Sequence, residues 1–122
     1  MIDLDYSEVV GDEVISRRLT FSSHLIKRDF RVESLFVSKV DGRSMEPLID
    51  DRALVIADIS QRDFSDGDIY LIYKDNAMWI KQAFVADGER FFISINPDYK
   101  HLQYRFDDCR VVATVLLSFR NH

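Results

Sequence analysis

Cysteine occurs once in this 122-residue chain, at Cys109, so no internal disulfide can staple the fold, and the chain suits a reducing cytoplasm. Only two prolines and four glycines are present, which excludes a collagen-like or low-complexity segment. No apolar run approaches the roughly 18–20 residues of a membrane-crossing helix. The first residues, Met1-Ile2-Asp3-Leu4-Asp5, lack the basic-then-apolar pattern of a secretory leader, so a cytoplasmic location without membrane attachment is expected. Positive charge is also short: the net charge is −5 and the pI about 5.1, so the chain gains little from counterion release on a phosphate backbone. The three histidines, His24, His101 and His122, stand apart from one another and from any carboxylate or cysteine at ligand spacing, so neither a metal nor a cofactor is expected.

What the chain does have is apolar material: 47% hydrophobic residues, with nine Phe and five Tyr. That suffices for one core at this length and is too little for two. Residues 1–20 run from acidic to basic and read as an extended arm with one short strand around Val14–Leu19. The remainder, 21–122, reads as the domain proper. Apolar residues at Phe21, Leu25, Ile26 and Phe30, with Ser22 or Ser23 as cap, predict one short helix. From there the pattern turns to strands: 35–40, 53–57, 69–73, 77–84, 90–95 and 109–118, with turn chemistry at Ser65-Asp66-Gly67-Asp68, Lys74-Asp75-Asn76, Asp87-Gly88 and Asn96-Pro97. Short strands at this spacing predict a mainly β fold, a rolled, barrel-like antiparallel sheet.

Two residues stand out chemically. In Val40-Asp41-Gly42-Arg43-Ser44-Met45-Glu46-Pro47 a strand ends, Gly42 permits an unusual turn, and Ser44 follows beside backbone amides free to face an oxyanion. Most Gly-x-Ser segments, however, are ordinary turns. Lys81 lies within an apolar strand, sharing a face with Trp79 and Ala83. A covered amine loses its proton more readily and can then take the proton of a serine hydroxyl. The commoner fate of a strand lysine is to keep its tip in solvent.

Five blocks bear on that choice. Gly42-Arg43-Ser44-Met45-Glu46-Pro47, Asp50-Asp51-Arg52-Ala53-Leu54-Val55, Asp66-Gly67-Asp68-Ile69-Tyr70, Ile80-Lys81 and Asn96-Pro97-Asp98-Tyr99 follow one another in the order, and with the serine-to-lysine spacing, of the S24 peptidase family. The chain resembles that family's LexA-like and phage-repressor-like C-terminal domains. The resemblance implies a LexA C-terminal-like sheet, Ser44 as nucleophile, Lys81 as general base, and backbone amides near Ser44 (those of Ser44 and Met45) as the oxyanion site. It implies a homodimer that cuts its own N-terminal arm when a RecA filament stabilises the docked conformation in the SOS response, and that meets DNA only through an N-terminal helix-turn-helix domain absent here.

The chain departs from the family pattern in three places. The usual Ala-Gly or Cys-Gly cleavage pair is missing, leaving Val10-Gly11 as the candidate site. Asp50-Asp51-Arg52 replaces Asp-Gly-Asp, and the chain holds no helix-turn-helix ahead of the domain, as expected of either a fragment of a longer regulator or a short stand-alone member. Two alternatives stand beside a self-cleaving repressor domain: a dimerisation module that no longer cuts, and a UmuD-like accessory subunit of an error-prone polymerase. Among other residues, Cys109 reads as a small core residue. Tyr99, Tyr104 and Phe106 read as packing or dimer contacts, and Arg17-Arg18 and Lys27-Arg28 as solvated surface.

Overall fold

In the computed structural model, which describes residues 1–120, the strands outnumber every other element, and the mainly β prediction holds. The first two strands correct the reading of the arm. Ile2–Val10 (β1) and Glu13–Phe21 (β2) pair along their whole length, from Ile2 opposite Phe21 to Val10 opposite Glu13. The arm is thus a hairpin rather than an extended segment. The signal for β1 lay in Ile2-Asp3-Leu4-Asp5-Tyr6-Ser7, whose strict alternation is that of a strand with one covered face. Gly11-Asp12 forms the two-residue connection, and Gly11 takes the positive φ (61°) that such a turn requires.

The hairpin packs into the core at its base. Ile2 and Phe21 are buried against Ile26, Leu35 and Ile56, with Leu4 and Leu19 partly covered above them. Towards the tip, Val9, Val10 and Val14 are exposed. The helix predicted over 21–30 shortens to a single 3-10 turn, Ser23–Leu25, with the Ser22 hydroxyl accepting from the His24 amide. Burial of Phe21 and Ile26 on either side holds the chain extended at both ends of the turn, and Ser, Ser and His contribute little helix propensity to resist it.

Seven further strands make one antiparallel sheet: Leu35–Lys39 (β3), Leu54–Asp58 (β4), Ile69–Lys74 (β5), Ala77–Ala86 (β6), Glu89–Ile93 (β7), Tyr104–Arg105 (β8) and Arg110–Phe119 (β9). Their order is β3-β4-β9-β5-β6-β7-β8. The sheet is open, with β3 and β8 at its edges and no closure into a barrel. Register shifts on β9, opposite Ile56/Ala57 of β4 and Leu71/Ile72 of β5, curl it instead. Curling covers the central strands on both faces, which is why β4 and β5 read as continuous apolar runs rather than alternating ones. One layer packs Val40, Met45, Ile49, Ala53 and Val55; another packs Tyr70, Ile72, Ala83 and Phe92 with an aromatic group around Phe64 and Phe106. Among the described residues no helix is long and apolar enough to cross a membrane.

Candidate active site

The loop that carries Ser44 leaves β3 and is fastened on every side. Val40 donates to the Ala53 carbonyl and Arg52 donates back to Val40, both at 2.9 Å, closing the loop at its neck. The Gly42 amide donates to the Asp51 carboxylate at 2.8 Å, and Gly42 adopts a φ of 98° that a side chain rarely tolerates. Where the family pattern has a glycine-containing turn, Arg52 takes a positive φ of 69°. A non-glycine residue in that conformation costs about 1–2 kcal/mol. Met45 is buried in the layer of Val40, Ile49, Ala53 and Val55, so its side chain nails the loop to the core directly beside Ser44. From the opposite side Asn96 closes in: its amide N–H donates to the Ser44 carbonyl and its Nδ2 to the Arg43 carbonyl, each at 2.9 Å.

Lys81 approaches from β6, directly opposite Tyr70 of β5. It is only 1% exposed, between the fully buried Tyr70 and Ala83. Its Nζ lies 2.8 Å from the Ser44 hydroxyl and 3.0 Å from the Ile80 carbonyl, with the Trp79 ring 5.6 Å away. Burial disfavours the ammonium and lowers the Lys81 pKa from its ordinary value to about 8. At neutral pH the charged amine donates to Ser44; once neutral, it can accept the Ser44 proton across the same short distance. The sequence placed Ser44 and Lys81 on separate segments, and the fold brings them into contact.

Both face a cleft of about 410 Å³, bounded among others by Lys39, Asp41, Arg43, Trp79 and Tyr99. Among the described residues, neither the Ser44 nor the Met45 amide donates to another group of the chain; the neighbouring amides of Gly42 and Glu46 are engaged, with Asp51 and Arg43. The cleft is therefore lined by a hydroxyl, a desolvated amine and the unengaged Ser44 and Met45 amides, alongside those of Asp41 and Arg43. That set is able to support nucleophilic attack on a carbonyl.

The model of the Peptidase S24-like family matches residues 7–116. The chain belongs to the Peptidase S24-like family. A relative of known kind is the repressor protein CI of Enterobacteria phage phi80, 35% identical over 75 residues that make up 61% of this chain and 32% of the repressor. The matched stretch thus spans about a third of that protein's length.

Within this S24-like chain, Val10 and Gly11 sit at the tip of the hairpin, and the cleft is lined by residues from 38 to 102 without any from the arm. A link between arm and cleft runs through Lys39, which lines the cleft and lies 3.0 Å from Glu8 of β1. Glu8 also meets Arg17 of β2 at 3.1 Å, and together Lys39 and Arg17 hold its carboxyl below the usual range. Nothing in the linear sequence pointed to the Glu8–Lys39 pair, since 31 residues separate its members. Asn96, read in the sequence as a strand breaker and as part of a family block, was given no role at the site, and its contacts with the Ser44 loop are what sequence reading missed.

The remaining sequence candidates take structural places. Cys109 is half-buried with its thiol pushed up by burial, the opposite of an activated nucleophile. Phe106 packs into the Phe64–Phe92 group and Tyr104 against Trp79, so neither offers a free stacking face. Arg17, Arg18 and Arg28 pair with Glu8, Asp5 and Asp68 at the surface. His122 lies outside the described residues.

Proposed function

We propose that this chain is the peptidase and dimerisation domain of a phage-repressor-like transcriptional regulator, cutting a peptide bond of its own arm with Ser44 as nucleophile and Lys81 as general base. One observation carries this reading: the Lys81 amine, withdrawn from water, 2.8 Å from the Ser44 hydroxyl. In the reaction, neutral Lys81 takes the Ser44 proton as Oγ attacks the scissile carbonyl, and the oxyanion forms against the Ser44 and Met45 amides. The C–N bond then breaks, Lys81 returns the proton to the leaving amine, and water hydrolyses the acyl-serine ester. The substrate bond is Val10–Gly11, the arm's Gly-containing pair, which must leave its hairpin position to enter the cleft. A RecA filament is the partner that favours the docked arm, and DNA is reached through a separate helix-turn-helix domain.

Incubation at about pH 9–10, where Lys81 is mostly neutral, is expected to yield a slow cut within residues 1–20, read by mass spectrometry. Ser44→Ala and Lys81→Met are expected to stay whole. An intact wild-type chain after prolonged incubation, indistinguishable from Ser44→Ala, rejects self-cleavage. It would favour the second reading, a dimerisation module that keeps the fold without cutting. The fully paired hairpin, with its tip outside the cleft, is the observation on that side. Similarity to a phage repressor supports the regulator over the UmuD-like alternative. A monomer in sedimentation at tens of micromolar would count against either dimeric reading.

A further inference from the structure

Asn96 touches the Ser44 loop at two points, and both lie on peptide units rather than on side chains. The Arg43 carbonyl, which accepts from Asn96 Nδ2 at 2.9 Å, belongs to the same peptide unit as the Ser44 amide. The Ser44 carbonyl, which accepts from the Asn96 backbone at 2.9 Å, belongs to the same unit as the Met45 amide. In a trans peptide the N–H points opposite to the C=O. Two carbonyls drawn toward Asn96 therefore turn the Ser44 and Met45 amides to the far side, and among the described residues neither amide finds an acceptor in the chain. A carbonyl that accepts a hydrogen bond also polarises its own peptide unit and strengthens the N–H as a donor.

Asn96 is itself held in place. Its Oδ1 accepts from the Asp98 amide at 3.0 Å, capping the 3-10 turn Pro97–Tyr99, and this fixes which end of the side-chain amide faces Arg43. From the other side the buried Met45 side chain prevents the loop from retreating. We propose that Asn96 is the positioning residue of the oxyanion site: it fixes the orientation of the Ser44 and Met45 peptide units from behind without touching the substrate. This inference rests on the peptidase reading of Ser44 and Lys81, and it adds a third, non-titrating member to that site.

Asn96→Asp separates the two jobs of the side chain, because aspartate keeps the oxygen that caps the turn and loses the Nδ2 donor. The first measurement is the self-cleavage rate on its high-pH plateau, where any change in the Lys81 titration no longer counts. A 10- to 100-fold drop relative to wild type is expected, approaching the loss seen when an oxyanion donor is removed outright. If Asn96 serves only as a cap, Asn96→Asp restores the wild-type plateau rate while Asn96→Ala lowers it, and the proposal is overturned. The second measurement does not depend on cutting: amide resonances of Ser44 and Met45 in a ¹⁵N-labelled Ser44→Ala background are expected to shift on Asn96→Asp, with the Asp98 amide nearly unmoved. The residue-44 and Met45 amides standing still in that spectrum overturns the proposal even if the wild-type chain does not cut. A wild-type chain that fails to cut, with the amides moving as expected, removes the peptidase reading and leaves Asn96 as the loop's anchor.

Discussion

The Ser44–Lys81 site and the arm are both built from polar residues close to the same cleft, yet they are held by opposite physics. At the site, a charge has been taken out of water: Lys81 is 1% exposed and fixed by strand pairing to a fully buried Tyr70. On the arm, charges remain in water and tie one strand to the next, Asp5 to Arg18 and Glu8 to Arg17 and Lys39. Buried groups are set rigidly because no alternative geometry satisfies them; exposed ion pairs are screened and readily exchanged for water. The difference teaches that the Ser44–Lys81 pair is held rigidly by burial, while the outer part of the arm is tied by contacts that water can replace.

Ways to break that contrast begin at the site. Lys81→Met is expected to abolish cutting and yet to raise stability at pH 7 by ~3 kcal/mol, the approximate cost of burying an ammonium whose pKa has fallen to about 8. Urea denaturation showing Lys81→Met no more stable than wild type would mean the amine is solvated after all. The pH dependence has a definite sign. Because the folded Lys81 releases its proton more readily than the unfolded one, the penalty is complete below about pH 8 and shrinks as pH rises toward 10.5. Wild-type stability is thus expected to gain over that window relative to Lys81→Met. The cutting rate is expected to rise about tenfold between pH 7 and pH 9, following the neutral fraction of Lys81. A rate independent of pH over that range would remove Lys81 as the base.

Changes on the arm are expected to be smaller. Gly11→Val forces a β-branched residue into φ 61° and is expected to cost about 1–2 kcal/mol locally, visible as faster hydrogen exchange near the hairpin tip. Smallest of all, Lys39→Ala unties Glu8 from the rim of the cleft. Amide exchange in β1 is expected to quicken while the melting temperature barely changes, and cutting is expected to rise about twofold as the undocked arm loses one contact. A slower cut in Lys39→Ala would show that Lys39 serves the docked arm instead.

Much of the fold was legible because strands with turn chemistry between them leave a local record: the six segments read from 35 to 118 each became a strand within a few residues. The arm was misread because acidic and basic residues along it obscured the alternation of Ile2, Leu4 and Tyr6, and the 21–30 segment because helical spacing of four apolar residues does not outweigh burial of its two ends. The two-residue strand Tyr104–Arg105 left no pattern to read. At the site, Ser44 and Lys81 were visible as residue types at a suggestive spacing. The contacts of Asn96 and of Glu8 with Lys39 span 53 and 31 residues, and nothing local encodes a partner at such separations.

By itself the sequence determined the mainly β character, which depends on composition and periodicity, while its resemblance to the S24 family singled out Ser44 and Lys81. Only the tertiary structure decided that the lysine is dry, that it meets the serine at 2.8 Å, and that the arm folds back as a hairpin outside the cleft. The physical reason is that desolvation and long-range contact are properties of what surrounds a residue, and those surroundings exist only once the sheet has curled.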